Sequence, residues 1–323
     1  MTQEAPESET AELETEHCCI TNGVATGDGR ARQIASGVWS VFAIHQPPVG
    51  ALLPNRLLIY EVKDAAGKAT LVVVNGITPD LVLDEPFGAI RRLARERDAQ
   101  VGYIFNPGPE HHLSLGHYAK AFPDARVVVA AGRIQRENPT LCALDNVETI
   151  PAGDVLPELA ALGFHVHVWD GLMEGTLSNL SQLRFNAPRG TAEPVLFFHE
   201  QSATLLNGGH GWWYWGEKVA LPWPARKLLG LVEGEVTWSS RHYTCFDAER
   251  CAASAARVLE WGFDTLLDLH TPKDVWLKTG AHAAAKRLCD PMIEGRWGDL
   301  PFKQEALQIP EGTVTGGDWK SYR

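Results

Sequence analysis

The sequence predicts a layered α/β fold. Short β-branched runs alternate with amphipathic helical stretches from about Ile34 onward. No apolar run approaches the ~18–20 residues of a membrane-spanning helix. The chain of 323 residues is long enough for one large core or two modest ones. MTQEAPESETAELETEH carries six glutamates and neither lysine nor arginine, which predicts an acidic, disordered tail. TNGVATGDGR reads as a flexible linker, so residues 1–33 are expected to lie outside the domain. GVWSVFAI, RLLIYEV and ATLVVVNGI then read as strands, separated by a proline stretch and the turn DAAGK. PFGAIRRLARERDA, with proline at its start, has the spacing of an amphipathic helix. VGYIF is a buried strand, NPGPEHH a loop, LSLGHYAKAF a helix and ARVVVA the next strand. Farther on, DVLPELAALG suits a short helix, while FHVHVW, EPVLFFHE and SATLLNGG suit strands. DAERCAASAARVLEWG is an alanine-rich helix, with Asp247 at its N-cap and Gly262 at its stop. FDTLLDLH is a strand ending in histidine, and AHAAAKRLCD opens a second alanine-rich helix. The domain is expected over 34–295, with 296–323 as a surface extension.

Several function classes are excluded at this stage. The net charge of -11 disfavours a nucleic-acid backbone or an anionic membrane as the main partner. The N-terminus has no basic region followed by an apolar one, so no secretory signal is expected. The six cysteines include no CxxC pair, which argues against a zinc ribbon or a disulfide scaffold and for a reducing cytoplasm. Neither GxGxxG nor GxxxxGK[ST] is present, and no GxSxG elbow occurs.

Chemistry in layered α/β proteins stands on loops after strand ends, because a rigid sheet positions them. Three such ends carry histidine: Glu110, His111 and His112 after VGYIF, His210 after SATLLNGG, and His270 after FDTLLDL. Three imidazoles converging from separate strands are one way to build an open metal site. The alternative is three loop histidines bonded locally or exposed to water. His199 and Glu200 could orient a ligand or act as acid and base, or form a polar strand-end pair. His165 and His167 share one strand face, which reads as solvated more readily than as a metal pair. His45 could line the same cleft. In GWWYWG the four aromatics cannot all face one core. Trp212, Trp213 and Trp215 are therefore expected to form an apolar wall for substrate, extended by Trp223 and Trp238, or to cover the site as a lid; the alternative is an interior wedge with a contact to a second subunit in a homodimer.

NRLLIYEV, TLVVVNGI, a helix and then VGYIFNPGPEHHLSLGHYAKAFPDARVVV resemble the first half of the metallo-β-lactamase-like fold. PVLFFHEQSATLLNGGH resembles that superfamily's hairpin ending in the bridging aspartate, and TLLDLHTP the strand ending in its last histidine ligand. The resemblance runs from Ile34 to Pro272 and is to a divergent branch with a degenerate metal motif. It implies an αββα sandwich. Laid on HxHxDH, the chain has Pro107 and Pro109 at the first two histidines, His111 at the aspartate and His112 at the last histidine. Asn75 stands in the turn that usually holds an aspartate, and DGLMEGT lacks the middle histidine. Gly209, with His210 beside it, stands at the bridging aspartate.

Proline has no side-chain donor, so the resemblance implies that the first metal site is gone. The second could persist as an all-histidine cluster of His111, His112, His210 and His270 around one divalent ion, zinc or else iron. The function so implied is metal-dependent hydrolysis of a small, partly apolar molecule, with Glu110 or Glu200 as proton acceptor. Two alternatives stay open: a metal-free pseudoenzyme binding a ligand or partner on the same fold, and a mononuclear iron or copper redox enzyme.

Overall fold

The computed structural model describes residues 19–21, 24–26, 30–45, 53–74, 85–108, 114–175, 191–208, 212–214, 216, 226–227, 230–238, 243–271 and 276–300. Its first sheet contains β1 (Cys19–Thr21), β2 (Val24–Thr26), β3 (Arg32–Ala35), β4 (Val38–His45), β5 (Leu53–Lys63), β6 (Ala69–Val74), β7 (Ala99–Phe105), β8 (Arg126–Ala130) and β9 (Val147–Ile150). The strand order is β1-β2-β4-β5-β6-β7-β8-β9, with β3 also beside β4. In the second half come β10 (Gly153–Val155), β11 (Phe164–Val168), β12 (Leu172–Glu174), β13 (Val195–His199), β14 (Thr204–Asn207), β15 (Trp212–Trp213), β16 (Thr237–Trp238), β17 (Tyr243–Cys245) and β18 (Thr265–Leu267). The second sheet has the order β10-β11-β13-β14-β18, and β12–β17 and β15–β16 form two short ribbons.

Residue parity along the strands creates four layers. On β6, Leu71 and Val73 point outward to α1 (Glu85–Glu96) and α2 (Leu115–Ala121), joining Ile90, Leu93 and Tyr118. Val72 and Val74 point inward, where they share a core with Val166 and Val168 of β11 and Phe197 of β13. Leu196 and Phe198 of β13 point outward again. They pack with Cys251, Ala255 and Val258 of a helix over Ala248–Leu259, and with Ala281 and Ala284 of one over Ala281–Ile293. The short helices between are α3 (Arg133–Glu137), α4 (Pro139–Cys142) and α5 (Pro157–Ala160), so the two long ones are α6 and α7. The layering is αββα, as expected. Full burial of each valine contributes roughly 1.5–3 kcal/mol, and a one-residue slip of β6 would exchange its two faces.

Helix α6 starts where its cap predicts: the Asp247 carboxylate accepts the backbone N–H of Arg250 at 3.1 Å. It ends at Leu259 with Glu260, not Gly262, as its C-cap: Glu260 keeps right-handed helical angles and its N–H closes the last turn. The chain also joins the sheet before Ile34. Thr21 pairs with Val24, and Ala25 pairs with Ile44 of β4. No helix among the described residues is long and apolar enough to cross a membrane.

Candidate functional site

Parallel pairing brings the carboxyl ends of several strands to one end of the sandwich. In the first sheet Val74, Phe105 and Val128 stand side by side on β6, β7 and β8. In the second, Leu206 of β14 stands beside Leu267 of β18. The two sheets are stitched together there. The N–H of Val195, which opens β13, donates to the carbonyl of Pro107 at 3.0 Å. Gly108 and Gly208 are needed at this junction. A Cβ on Gly108 would stand 2.5 Å from the Gly208 carbonyl oxygen, and one on Gly208 would overlap the carbonyls of Pro107 and Val195. Backbones can approach this closely only without side chains. The stretches after Gly108 and Gly208 and the end of β18 therefore leave from neighbouring points.

His270 follows β18 in a built turn. The Asp268 carboxylate accepts the His270 backbone N–H at 2.7 Å, and the Thr271 hydroxyl donates to the Asp268 carbonyl at 3.4 Å. Asp268 and Thr271 are buried, whereas His270 is half-buried. Arg56 of β5 crosses from the other sheet and donates through Nη2 to the Thr271 carbonyl at 3.3 Å. Its guanidinium lies over Phe42 at 5.2 Å and Trp276 at 6.0 Å. Asn106 Nδ2 donates to the Gly108 carbonyl, and Asn207 Nδ2 donates to that of Trp212. Beyond β8, Arg133 Nε pairs with Glu174 Oε1 at 2.8 Å, and both side chains are fully enclosed. The Glu193 carboxylate rests against the Cα of Gly132, whose φ of 90° also favours glycine.

Of the residues expected at the site, His270 stands at these strand ends. Glu110, His111, His112, His210 and Trp215 lie outside the described residues, as does the side chain of Trp213. His199 and Glu200 are not brought there. His199 pairs with Thr204, which pairs with Thr265, so it is level with the start of β18, roughly 10 Å from Asp268 at ~3.3 Å per residue. His199 is buried against Tyr60 and Phe164. Its Nε2 is 3.2 Å from the Glu61 carbonyl and its Nδ1 2.8 Å from the Ser202 hydroxyl. The first contact requires a protonated Nε2, so a neutral ring accepts from Ser202 through Nδ1. Burial pushes its pKa below the usual histidine value. Glu200 is exposed and accepts from His165 Nε2 at 2.6 Å.

Trp212 takes the interior position. It is 1% exposed and packs edge-on to Trp169 at 6.0 Å, with Trp238 closing the trio at 5.5 Å from Trp169. Pairing of β15 with β16 sets Trp212 opposite Trp238 and turns both into the α6–α7 core, so neither forms an open wall. The face of β11 bearing His165 and His167 is not solvated either, because Trp261 beyond α6 covers it. His167 Nδ1 lies 2.7 Å from Asp154 Oδ1, whose other oxygen accepts from Arg257 Nε at 2.6 Å. Burial outweighs the Asp154 charge and lowers the His167 pKa.

Arg56, Asp268, Arg133, Glu174 and Glu193 belong to no motif in the sequence. Asp268 carried a signal, an aspartate two residues before His270 at a strand end, the pattern of an Asx turn. The arginines carried none, since their partners are distant in sequence. Among the described residues no three His, Cys, Asp or Glu side chains are grouped closely enough to hold a metal ion.

No family model matches the sequence, and no curated protein matches it either. The chain is similar to several solved metallo-β-lactamases. DIM-1 metallo-β-lactamase is 11% identical with a TM-score of 0.48, covering 82% of this chain and 97% of that one. The metallo-β-lactamase from Pontibacter korlensis is 13% identical with a TM-score of 0.44, over 81% and 98%. FIM-1 from Pseudomonas aeruginosa, in its mono-zinc form, is 10% identical with a TM-score of 0.45, over 80% and 94%.

Proposed function

We propose that this chain is a metal-dependent hydrolase of a small, partly apolar molecule, acting at the strand-end site with one divalent ion. The observation that carries the reading is the junction of Gly108, Gly208 and β18. Three histidine-bearing stretches depart from adjacent backbone points, and His270 is already held in a bonded turn. The donor set fits the ion: His111, His112, His210 and His270 are all imidazoles, which suit zinc and iron alike. A divalent ion bound there lowers the pKa of its water and polarises a carbonyl or phosphoryl oxygen.

The chain's own residues supply the rest. Asp268 and Arg56 fix the turn that presents His270. Glu110, next to His111 in sequence, takes the proton acceptor's role. Glu200 is not assigned it, being engaged with His165 near the opposite end of β13. Trp213 and Trp215 are assigned to hold the apolar part of the substrate. The test is metal analysis of untagged protein. About one equivalent of zinc or iron is expected, lost in His112→Ala and His270→Ala. A clean preparation without metal, with stability unchanged by chelator, overturns the reading and points to a binding protein on the same fold.

A further inference from the structure

At the other end of β7, roughly 17–26 Å along the chain from Gly108 at ~3.3 Å per residue, lies a cleft of about 710 Å³. It runs between the last two turns of α1, the start of β7 and the turn from α2 into β8. Three arginines line it, Arg91, Arg95 and Arg126, against one acid, Asp124.

Two of the guanidinium groups are held in place. Arg91 donates through Nη2 to the Ala121 carbonyl at 3.2 Å and lies over the Phe122 ring at 5.3 Å. Arg126 is neutralised by Glu148 and Glu158, each at 2.5 Å, and covers Tyr103 at 5.3 Å, so it serves as a wall. Arg95 stands one helical turn beyond Arg91, exposed, and makes no ion pair with another described residue. Residues four apart on a helix are separated by about 6 Å along its axis, so the two side chains can close on one group from two sides. Arg91 has already lost much of its side-chain freedom, which reduces the entropic cost of binding. Gln100, exposed at the start of β7, offers an amide to the lining, and the volume exceeds that of a lone inorganic ion.

We propose that this cleft binds a small phosphate ester or diphosphate, gripped by Arg91 and Arg95, with the organic part lying along β7 toward Gln100. A tetrahedral dianion presents enough oxygens for two guanidinium forks, whereas a planar carboxylate is satisfied by one. The site is independent of the strand-end reading and survives its failure.

Calorimetric titration of the full chain with inorganic pyrophosphate at low salt tests it. Saturable one-site binding is expected, weakened about tenfold by Arg91→Gln or Arg95→Gln and lost in the double variant. Both arginines are exposed, so circular dichroism should not change; Arg95→Gln should keep the urea midpoint, and Arg91→Gln should lower it only slightly through the lost Ala121 bond and Phe122 contact. His270→Ala should leave binding intact, and loss in that variant would transfer the ligand to the strand-end site. No saturation up to about 10 mM, or equal binding by the double variant, overturns the proposal. Equal binding of succinate overturns the assignment to phosphate.

Discussion

Replacing Gly208 with alanine tests whether close backbone approach builds the strand-end junction. The added Cβ would overlap the carbonyl oxygens of Pro107 and Val195, and it would stand 2.8 Å from the Val195 carbonyl carbon. All three are backbone atoms, so no side-chain rotation relieves the clash. Overpacking of this kind costs about 1–3 kcal/mol. Parting the strands also breaks the 3.0 Å bond from Val195 N–H to the Pro107 carbonyl, at about 1–3 kcal/mol for enclosed groups. The sum is about 2–6 kcal/mol, a fall of roughly 0.7–2 M in the urea midpoint for a slope near ~3 kcal/mol/M. Gly116→Ala in α2 is the control. Nothing lies within 4 Å of its Cβ position, so a gain of about 0.5–1 kcal/mol is expected. Urea unfolding followed by tryptophan fluorescence reads both variants. A Gly208→Ala midpoint equal to that of the parent protein, or an equal loss in Gly116→Ala, would refute the steric argument. Folded Gly208→Ala protein should also retain less zinc, since two of the proposed histidine stretches leave from this point.

Arg133→Met alone should cost about 3–5 kcal/mol by leaving the Glu174 charge enclosed, and Arg133→Met with Glu174→Leu should recover much of it in a double-mutant cycle. Trp212→Ala should lose about 3–5 kcal/mol in urea unfolding, as a core residue would and a substrate wall would not. His199 and His167 have pKa values lowered by burial, from a usual value of 6.5. The unfolded chain therefore takes up their protons first, so their stability contribution is complete above pH 6.5 and declines as pH falls toward the folded pKa values. Urea midpoints measured from pH 8 to pH 5 should fall in that window, and His199→Asn should flatten the fall. Asp247→Ala should cost about 1 kcal/mol in the same assay, through the lost cap of α6.

What could be read in advance followed from short-range pattern. The alternation in ATLVVV is the alternation of Leu71 and Val73 outward against Val72 and Val74 inward. The spacing in PFGAIRRLARE placed Ile90 and Leu93 on one face of α1. His270 was found because a strand pattern ended on it. His199 and Glu200 also end a strand pattern, yet β13 runs antiparallel to its neighbours, so its end lies away from the ends of β14 and β18. Strand direction is set by pairing with distant segments, and local pattern does not contain it. The same holds for Trp212, whose neighbour Trp238 supplies the cover that a run of exposed aromatics would lack.

Local chemistry, then, determined most of the longer elements after Ile34: where those strands and helices lie, which face each one buries, how α6 is capped, and that imidazoles follow strand ends. Side-chain period and capping act over a few residues, so they are written in the order of amino acids. Tertiary structure alone decided which ends meet. It set Gly108 against Gly208, carried Arg56 across to a turn 215 residues away, enclosed Arg133 with Glu174, and aligned Arg91 and Arg95 over an open cleft. Those contacts depend on strand order and direction across two sheets, which arise from the packing of the whole chain.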